Sequence, residues 1–386
     1  MENALKMTVR EVFEVLYSPV NAFKKIIEKP DFKAVLLVLL LVVASMTIAQ
    51  YVVTSKLLLE NRAPENDDWT EALTNQHSWL SNGELSIDDT DYQMGNTDGN
   101  HSITSSTLTE TSIWMQVRDI DSINCSEETG YIELFFWIKC SHDAELAPSS
   151  GTLKLFSGNE DSYFESDITG LLASSGEWTN ITLNVDSDQG WTSTNSPDWQ
   201  DITGIEFRVN WSSSANLTMK IDGLFFRKYS SPLVTGEFAA LLPAILIEVV
   251  LNTVMDWILW AGILILVAKL FNENLGHWNV FFVIIGYSFI ATVVYTLVTV
   301  APLSTLPMLN VPLDVNAFNA LFDASWRLLP AYQLVSYIPV IGEVWTAALG
   351  AIAIRTLKEE MTWSKAATIA AVAFAIRFLL RLFLGF

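Results

Sequence analysis

The chain is poor in the residues that carry most catalytic chemistry. Its 386 residues include two cysteines and four histidines. Two thiols cannot complete a four-ligand zinc site, and His77, His101, His142 and His277 share no metal-ligand spacing, which excludes zinc-finger and histidine-cluster architectures. Neither a Gly-x-Ser-x-Gly elbow nor a phosphate-binding glycine loop occurs, so no signature of a serine hydrolase or P-loop enzyme is present. Basic residues are also few. Against 43 Asp and Glu stand 22 Lys and Arg, too thin a supply to neutralise a phosphate backbone, and nucleic acid is excluded as a partner.

Apolar side chains, by contrast, make up 51% of the chain, and the mean hydropathy is +0.32. A wholly soluble protein does not reach that balance. The formal charge of −21 sits oddly beside it until it is located: residues 60–228 hold 29 acids and 8 bases, and the rest of the chain holds 14 of each. A soluble acidic domain is therefore inserted into a neutral membrane protein.

The predicted fold class is an α-helical polytopic membrane bundle of five transmembrane helices with an inserted all-β sandwich. Residues 1–33 form a cytoplasmic amphipathic segment: Val9, Val12, Phe13 and Leu16 share one helical face, Ser18-Pro19 restarts the helix, and Val20, Phe23 and Ile27 follow among lysines. This segment lies at the headgroups or packs on its own bundle. Residues 34–59 contain the first transmembrane helix, with no charge from Ala34 to Ser55. Residues 231–386 supply the other four spans, at 241–270 (its early part, with Pro243, along the outer interface), 280–300, 338–354 and 366–386. An outer loop over 303–337 carries a surface helix near 315–329. Lys269, Arg355, Lys358 and Lys365 then fall on the side of the N-terminal lysines. The positive-inside bias makes the N-terminus cytoplasmic, with residues 60–230 and the C-terminus extracytoplasmic.

Within 60–230, aromatic and β-branched runs at 131–140, 178–185, 205–211 and 217–226 alternate with Ser, Asn, Asp and Gly. This is the pattern of an antiparallel sandwich, and residues 60–68 read as a stalk ahead of it.

Two resemblances rest on particular residues. Leu16-Tyr17-Ser18-Pro19 with Phe23 and Pro30, then Gly286-Tyr287, then Glu343-Val344-Trp345 with Gly350 and Arg355-Thr356-Leu357, then Ser364-Lys365-Ala366, resemble the Yip1 family in order and spacing. The resemblance implies a five-span helical membrane domain that binds or organises membrane partners, without enzymatic chemistry; the expected location is a prokaryotic cell membrane. The Asp-Leu-Tyr-Gly-Pro motif of the family's eukaryotic members is absent, so their GTPase partner is not implied. Separately, the stretches 98–103, 176–183 and 219–226 resemble strands of jelly-roll carbohydrate-binding modules, with Trp178 as a core tryptophan.

The expected function is non-catalytic: the helical part engages membrane lipids and a membrane-protein partner or a second copy, while the sandwich recognises a glycan or an envelope protein. A transporter or channel subunit is the alternative. Eight of fourteen tryptophans lie in the insert, and Trp191 and Trp199, in a polar loop, are candidate glycan platforms or plugs for the end of the sandwich. No cofactor is expected; the module resemblance offers a structural calcium site at Asp222 with Glu84, against the reading of Asp222 as an ordinary hydrogen-bonded surface residue. Cys125 and Cys140 are a candidate disulfide in an oxidising compartment. Sequons at Asn100, Asn124, Asn180, Asn210 and Asn216 are candidate glycosylation sites that all fall in the insert. Asp256, Glu343, Arg377 and Arg381 are charges within apolar spans, where ionisable groups need partners; Arg381 is expected to pair with Asp256 and Glu343 as a clamp, the other readings being arginines snorkelling to the outer headgroups and an ion or substrate path.

Overall fold

A computed structural model of the protein describes residues 2–93, 99–126, 130–185, 190–313 and 315–384, excepting the side chains of residues 2–9, 237, 315, 316, 381, 382 and 384. The chain divides into a helical unit, Met1–Leu58 with Ser231–Leu309 and Asn319–Phe386, and a β unit, Leu59–Ser230 with Asn310–Phe318.

Helices α1 (Glu2–Tyr17), α2 (Pro19–Glu28) and α3 (Phe32–Thr54) precede the β unit, and α4 (Asp68–Glu71) is a single turn inside it. After it come α5 (Glu237–Leu270), α6 (Trp278–Ser288), α7 (Ile290–Ser304), α8 (Val315–Phe322), α9 (Pro330–Leu357) and α10 (Trp363–Leu384). Among the described residues, five stretches are long and apolar enough to cross a bilayer, at Phe32–Thr54, Phe238–Leu270, Trp278–Ser304, Pro330–Leu357 and Trp363–Leu380. The protein is an integral membrane protein: four stretches exceed the roughly 20 residues that cross a bilayer core as a helix, and the fifth, of 18, lies within the range of about 17–25 that does so.

Three spans differ in detail from the sequence reading. Helix α5 runs unbroken from Glu237 through Pro243, and α9 begins at Pro330 and continues through Pro339. Proline removes one ladder hydrogen bond, which a long apolar helix tolerates. The third span is interrupted at Phe289, between α6 and α7. The amphipathic N-terminal helices pack on the bundle: Val12, Val15, Phe23 and Ile26 belong to its buried core, whereas Phe13 is exposed. The Lys25 ammonium donates to both Glu14 carboxylate oxygens at 2.6 and 2.8 Å, joining α1 to α2. Gly286 of α6 allows the approach of α3, because a Cβ there would sit 2.3 Å from Val35 Cγ1.

The β unit contains β1 (Leu57–Ala63), β2 (Ser78–Ser81), β3 (Glu84–Asp88), β4 (Ser102–Ile123), β5 (Glu133–His142), β6 (Ser150–Ser157), β7 (Asn159–Asp167), β8 (Trp178–Asn184), β9 (Thr192–Thr194) and β10 (Ile202–Ser230). The organising pair is β4 with β10, antiparallel from Gly204↔Arg118 to Ile221↔Ile103, with register shifts between Asn210 and Leu217. Such bulges sharpen the twist of long strands. The first half of β10 pairs on its other edge with β6, which continues to β7 and β9; the second half pairs with β5, which continues to β8. Strands β2 and β3 line the far edge of β4.

The bend folds this sheet over as a sandwich. Phe136 of β5 and Phe207 of β10 meet edge to face at 4.9 Å, and Ile205, Val209, Leu217 and Ile221 are fully buried along β10. Two expectations are corrected. The first part of the supposed stalk, residues 60–63, is strand: β1 pairs with the end of β10 from Leu59↔Ser230 to Ala63↔Phe226, because Leu57 to Leu59 give it β character ahead of the acids. Trp178 is half-buried, its Nε1 donating to Asp91 at 2.9 Å on the outer face rather than filling the core.

Candidate functional site

Outward positions on the β6 wing of the sandwich converge on a cleft. Ile113, Met115 and Val117 of β4 are fully buried, so strand alternation turns Trp114, Gln116 and Arg118 outward. Their partners on β10 are Arg208, Glu206 and Gly204. The rows continue through Thr152, Lys154 and Phe156 of β6, and then Asp167, Glu165 and Tyr163 of β7. Gly204 keeps the floor open between Arg118 and Phe156, since a Cβ there would lie 3.0 Å from the Val117 carbonyl oxygen. With the turn at 158–161, these rows form a cleft of about 670 Å³ whose walls include Gln116, Arg118, Asp119, Phe156, Asn159 and Glu160.

The polar groups there are held by one another. Arg118 donates through Nη2 to Gln116 Oε1 at 3.0 Å and pairs with Glu160. Arg208 Nη2 lies 3.1 Å from Glu206 Oε1, and its guanidinium carbon is 5.9 Å from the Trp114 ring centroid. Lys154 Nζ lies 3.7 Å from Glu165 and 4.5 Å from the Tyr163 ring centroid. Two donors remain: Gln116 Nε2 and Arg118 Nε are buried with no hydrogen-bond partner among the described residues. An amide and a guanidinium beside carboxylates can bridge adjacent hydroxyls, and flanking rings offer faces to apolar C–H groups. The sequence reading missed these residues. Their signal is the alternation Trp114-Gln116-Arg118 and Glu206-Arg208, in which large polar groups recur on one strand face.

The residues singled out from sequence are placed elsewhere. Trp191 is buried, its Nε1 donating to the Asn184 carbonyl at 2.7 Å. Trp199 is half-buried and stacked on Phe164, with ring centroids 3.7 Å apart and an interplanar angle of 11°, and it meets Trp191 edge-on at 5.7 Å. This is the plug arrangement rather than a pair of open platforms.

Asp222 and Glu84 are not brought together. Glu84 is exposed opposite Ser106, which in turn faces Thr218. Asp222 lies four residues further along β10, about 13 Å by strand rise. Asp222 is buried and accepts from the Gln93 N–H at 2.6 Å and the Thr70 hydroxyl at 3.5 Å. Burial, reinforced by the nearby Glu71 carboxylate, raises its pKa to about 6 against the hydrogen bonds that oppose it. Glu71 in turn accepts from the Asn100 and His101 N–H groups at 2.8 and 2.9 Å and contacts His101 Nδ1 at 2.7 Å. No metal-holding cluster of three or more His, Cys, Asp or Glu occurs among the described residues.

Cys125 and Cys140 are both free thiols, which corrects the disulfide expectation. They are buried in the sandwich core, where burial pushes the Cys140 thiol up to about 12 and raises Cys125 as well. Among the sequons, Asn100, Asn180 and Asn216 are exposed. Asn124 and Asn210 are half-buried with engaged amides: Asn124 Oδ1 accepts from the Ser126 N–H, and Asn210 Nδ2 donates to the Ser150 hydroxyl, both at 2.9 Å.

In the helical unit the intramembrane pair involves Arg377. Its Nε donates to Asp256 Oδ1 at 2.9 Å and its Nη2 to Oδ2 at 2.5 Å, a fork closing α10 onto α5. The guanidinium carbon lies 5.2 Å from the Trp260 ring centroid. Arg377 thus pairs with Asp256; the expected pairing of Arg381 lies outside the described residues. Glu343 is half-buried on α9.

No protein-family profile matches the chain, and no curated protein matches it. Solved structures with similarity to it include a family 11 carbohydrate-binding module of a cellulosomal cellulase from Clostridium thermocellum, at 13% identity over 41% of this chain and 90% of that one, with a TM-score of 0.27. A family 30 module from a cellulosomal cellulase of the same organism is 10% identical over 39% and 90%, with a TM-score of 0.29. An exo-β-agarase is 11% identical over 41% of this chain, which spans 24% of that enzyme, with a TM-score of 0.30.

Proposed function

We propose that this is a non-catalytic membrane protein whose β-sandwich recognises a glycan through the cleft at Gln116 and Arg118, displayed outside the cell by a Yip1-like helical bundle. The observation that carries the reading is the buried Gln116 amide, 2% exposed, in the cleft wall with an unused donor beside Arg118 and Phe156. A buried donor left unmade costs about 1–3 kcal/mol, which a sugar hydroxyl would recover. Of the wall carboxylates, Glu160 holds Arg118 and Asp119 accepts from the Ser78 hydroxyl, while Glu206 beside the cleft holds Arg208. They act as positioning groups for recognition rather than as an acid and nucleophile pair.

Asp256 and Arg377 neutralise one another, which supports bracing of the bundle over conduction along charged residues. The acidic sandwich and the basic cytoplasmic turns together support the extracytoplasmic placement. The test uses the full chain in detergent with cellohexaose and chitohexaose as probes in titration calorimetry. Binding of either probe that falls about tenfold in Gln116→Ala and in Arg118→Ala, and is unchanged in Glu84→Ala, supports the cleft. Failure of both probes to bind, or binding indifferent to the cleft variants, refutes it.

A further inference from the structure

A second cavity, inside the helical unit, has walls suited to a different ligand. It encloses about 290 Å³ between α3, α5 and the α6–α7 junction, with Val42, Met46 and Val249 on its apolar side and Asn252, Asp256 and Thr292 on its polar side. Thr292 is 5% exposed, yet its hydroxyl donates to no protein group among the described residues. Thr253 of α5 and Thr299 of α7 instead donate to the carbonyl one turn back, at 2.7 and 2.8 Å. The Asn252 carboxamide also has no hydrogen-bond partner among the described residues and lies exposed on the flank of α5. In hydrocarbon, polar groups left unsatisfied are costly, so both call for an occupant.

Local backbone geometry points to the same place. The third span breaks at Phe289, a wall residue of this cavity, where the Phe289 and Thr292 N–H groups turn to carbonyls three residues back at 3.3 and 2.9 Å. Broken spans recur where a membrane helix lines a binding site.

The walls also define the ligand. Among the described side chains Asp256 is matched by the forked Arg377, so the described lining offers no unmatched charge, and a charged ligand would enter a low-dielectric site without a described counter-ion. Asn252 and Met255 are wall residues that are also exposed on the outside of the bundle. For membrane-spanning helices that flank faces the acyl chains, so entry is lateral. The volume holds on the order of ten water-sized groups, enough for the hydroxyl-bearing end of an amphiphile but not its tail.

We infer that the cavity binds the hydroxylated end of a neutral membrane lipid entering from the bilayer between α3 and α5. Thr292 and Asn252 hydrogen-bond the head, and Val42, Met46, Val249 and Met255 contact the first part of the chain.

The test is photolabelling of the full chain in nanodiscs with a photoactivatable diacylglycerol, competed by 1,2-dioctanoylglycerol and mapped by peptide mass spectrometry. Expected are saturable labelling of peptides from α3, α5 and α7, a loss of about fivefold in Thr292→Val and again in Asn252→Leu, and retention in Thr292→Ser. Val249→Trp, which fills the cavity, should abolish labelling while the thermal midpoint stays within a few degrees of the parent. Labelling that does not saturate, that ignores these variants, or that dioleoylphosphatidic acid or glycerol displaces as well as dioctanoylglycerol overturns the assignment.

Discussion

Breaking the Asp256–Arg377 pair should be among the most damaging single changes available in the helical unit, and the damage should be non-additive. Arg377 is 5% exposed, its two bonds to Asp256 are 2.9 and 2.5 Å, and its Nη1 is buried without a partner among the described residues. The guanidinium is therefore committed to one carboxylate and one indole face. Replacing Arg377 with Gln removes both arms of the fork from Asp256 and should cost about 3–5 kcal/mol, the scale of breaking a buried ion pair. Asp256→Asn strands the guanidinium and should cost a similar amount. In the double variant the two charges vanish together and two amides can still hydrogen-bond, so the cost should fall to about 1–2 kcal/mol. Arg377→Lys keeps the charge but loses the fork and should fall in between.

The assay is equilibrium unfolding of the full chain in mixed micelles of mild detergent and SDS, read as a double-mutant cycle. The reasoning requires a coupling energy of at least about 2 kcal/mol. Single variants each costing less than about 1 kcal/mol, or a double variant equal to the sum of the singles, would show that water or headgroups satisfy the charges and that the pair braces nothing.

Other consequences are open to simpler measurements. Asp222 has a folded pKa raised to about 6, so its contribution to stability is fully present below its ordinary value near 4 and is lost as pH rises through 6. Asp91, held down at about 2 by Lys220, Trp178 and Lys139 against its burial, contributes above 4 and loses that contribution as pH falls through 2. Amide exchange of β10 should thus be slowest near pH 4–5 after correction for the intrinsic rate, and Asp222→Asn should remove about 3 kcal/mol of the decline towards neutrality; a monotonic rise in protection up to pH 8 contradicts this. Both cysteines should resist maleimide in the native protein and react once it is unfolded in SDS, with no mobility change on reduction; a reducible shift would restore the disulfide. Gly342→Ala should destabilise the bundle by about 1–3 kcal/mol, because the added methyl falls within 1.9 Å of the Tyr295 ring, and Tyr295→Ala should rescue it. Failure of rescue would locate the strain elsewhere.

The parts of this fold legible from sequence are those written in local composition. A run of 22 uncharged residues from Ala34 to Ser55 can only be satisfied as a helix in lipid, and it forms α3. The alternation in 131–140 reappears in β5, where buried Leu134, Phe136 and Ile138 alternate with half-buried neighbours. What local composition does not carry is long-range register. Trp191 and Trp199 look solvent-facing in a loop of Gly, Ser and Pro, and only the return of Phe164 from a strand some thirty residues upstream gives Trp199 a ring to stack on. The two cysteines share a domain, yet Cys140 is fixed by β5 opposite Met219 while Cys125 follows the end of β4 and donates its N–H to the Trp199 carbonyl. Redox compartment alone could not decide their pairing.

The cleft was hidden for a related reason. Gln116, Arg118, Phe156 and Gly204 come from three strands, and in sequence each is an ordinary outward position. They become a site only because β4 and β6 both pair with the first half of β10, so that Gly204 leaves the floor bare between Arg118 and Phe156. The clamp shows the opposite balance. Charge in an apolar helix announced itself at once, and depth counted at about 1.5 Å per residue brought the last helix to the level of Asp256 within one turn. That Arg377 reaches Asp256 depends on the rotation of α10 against α5, a packing variable that Trp260, lying under the guanidinium, helps to fix.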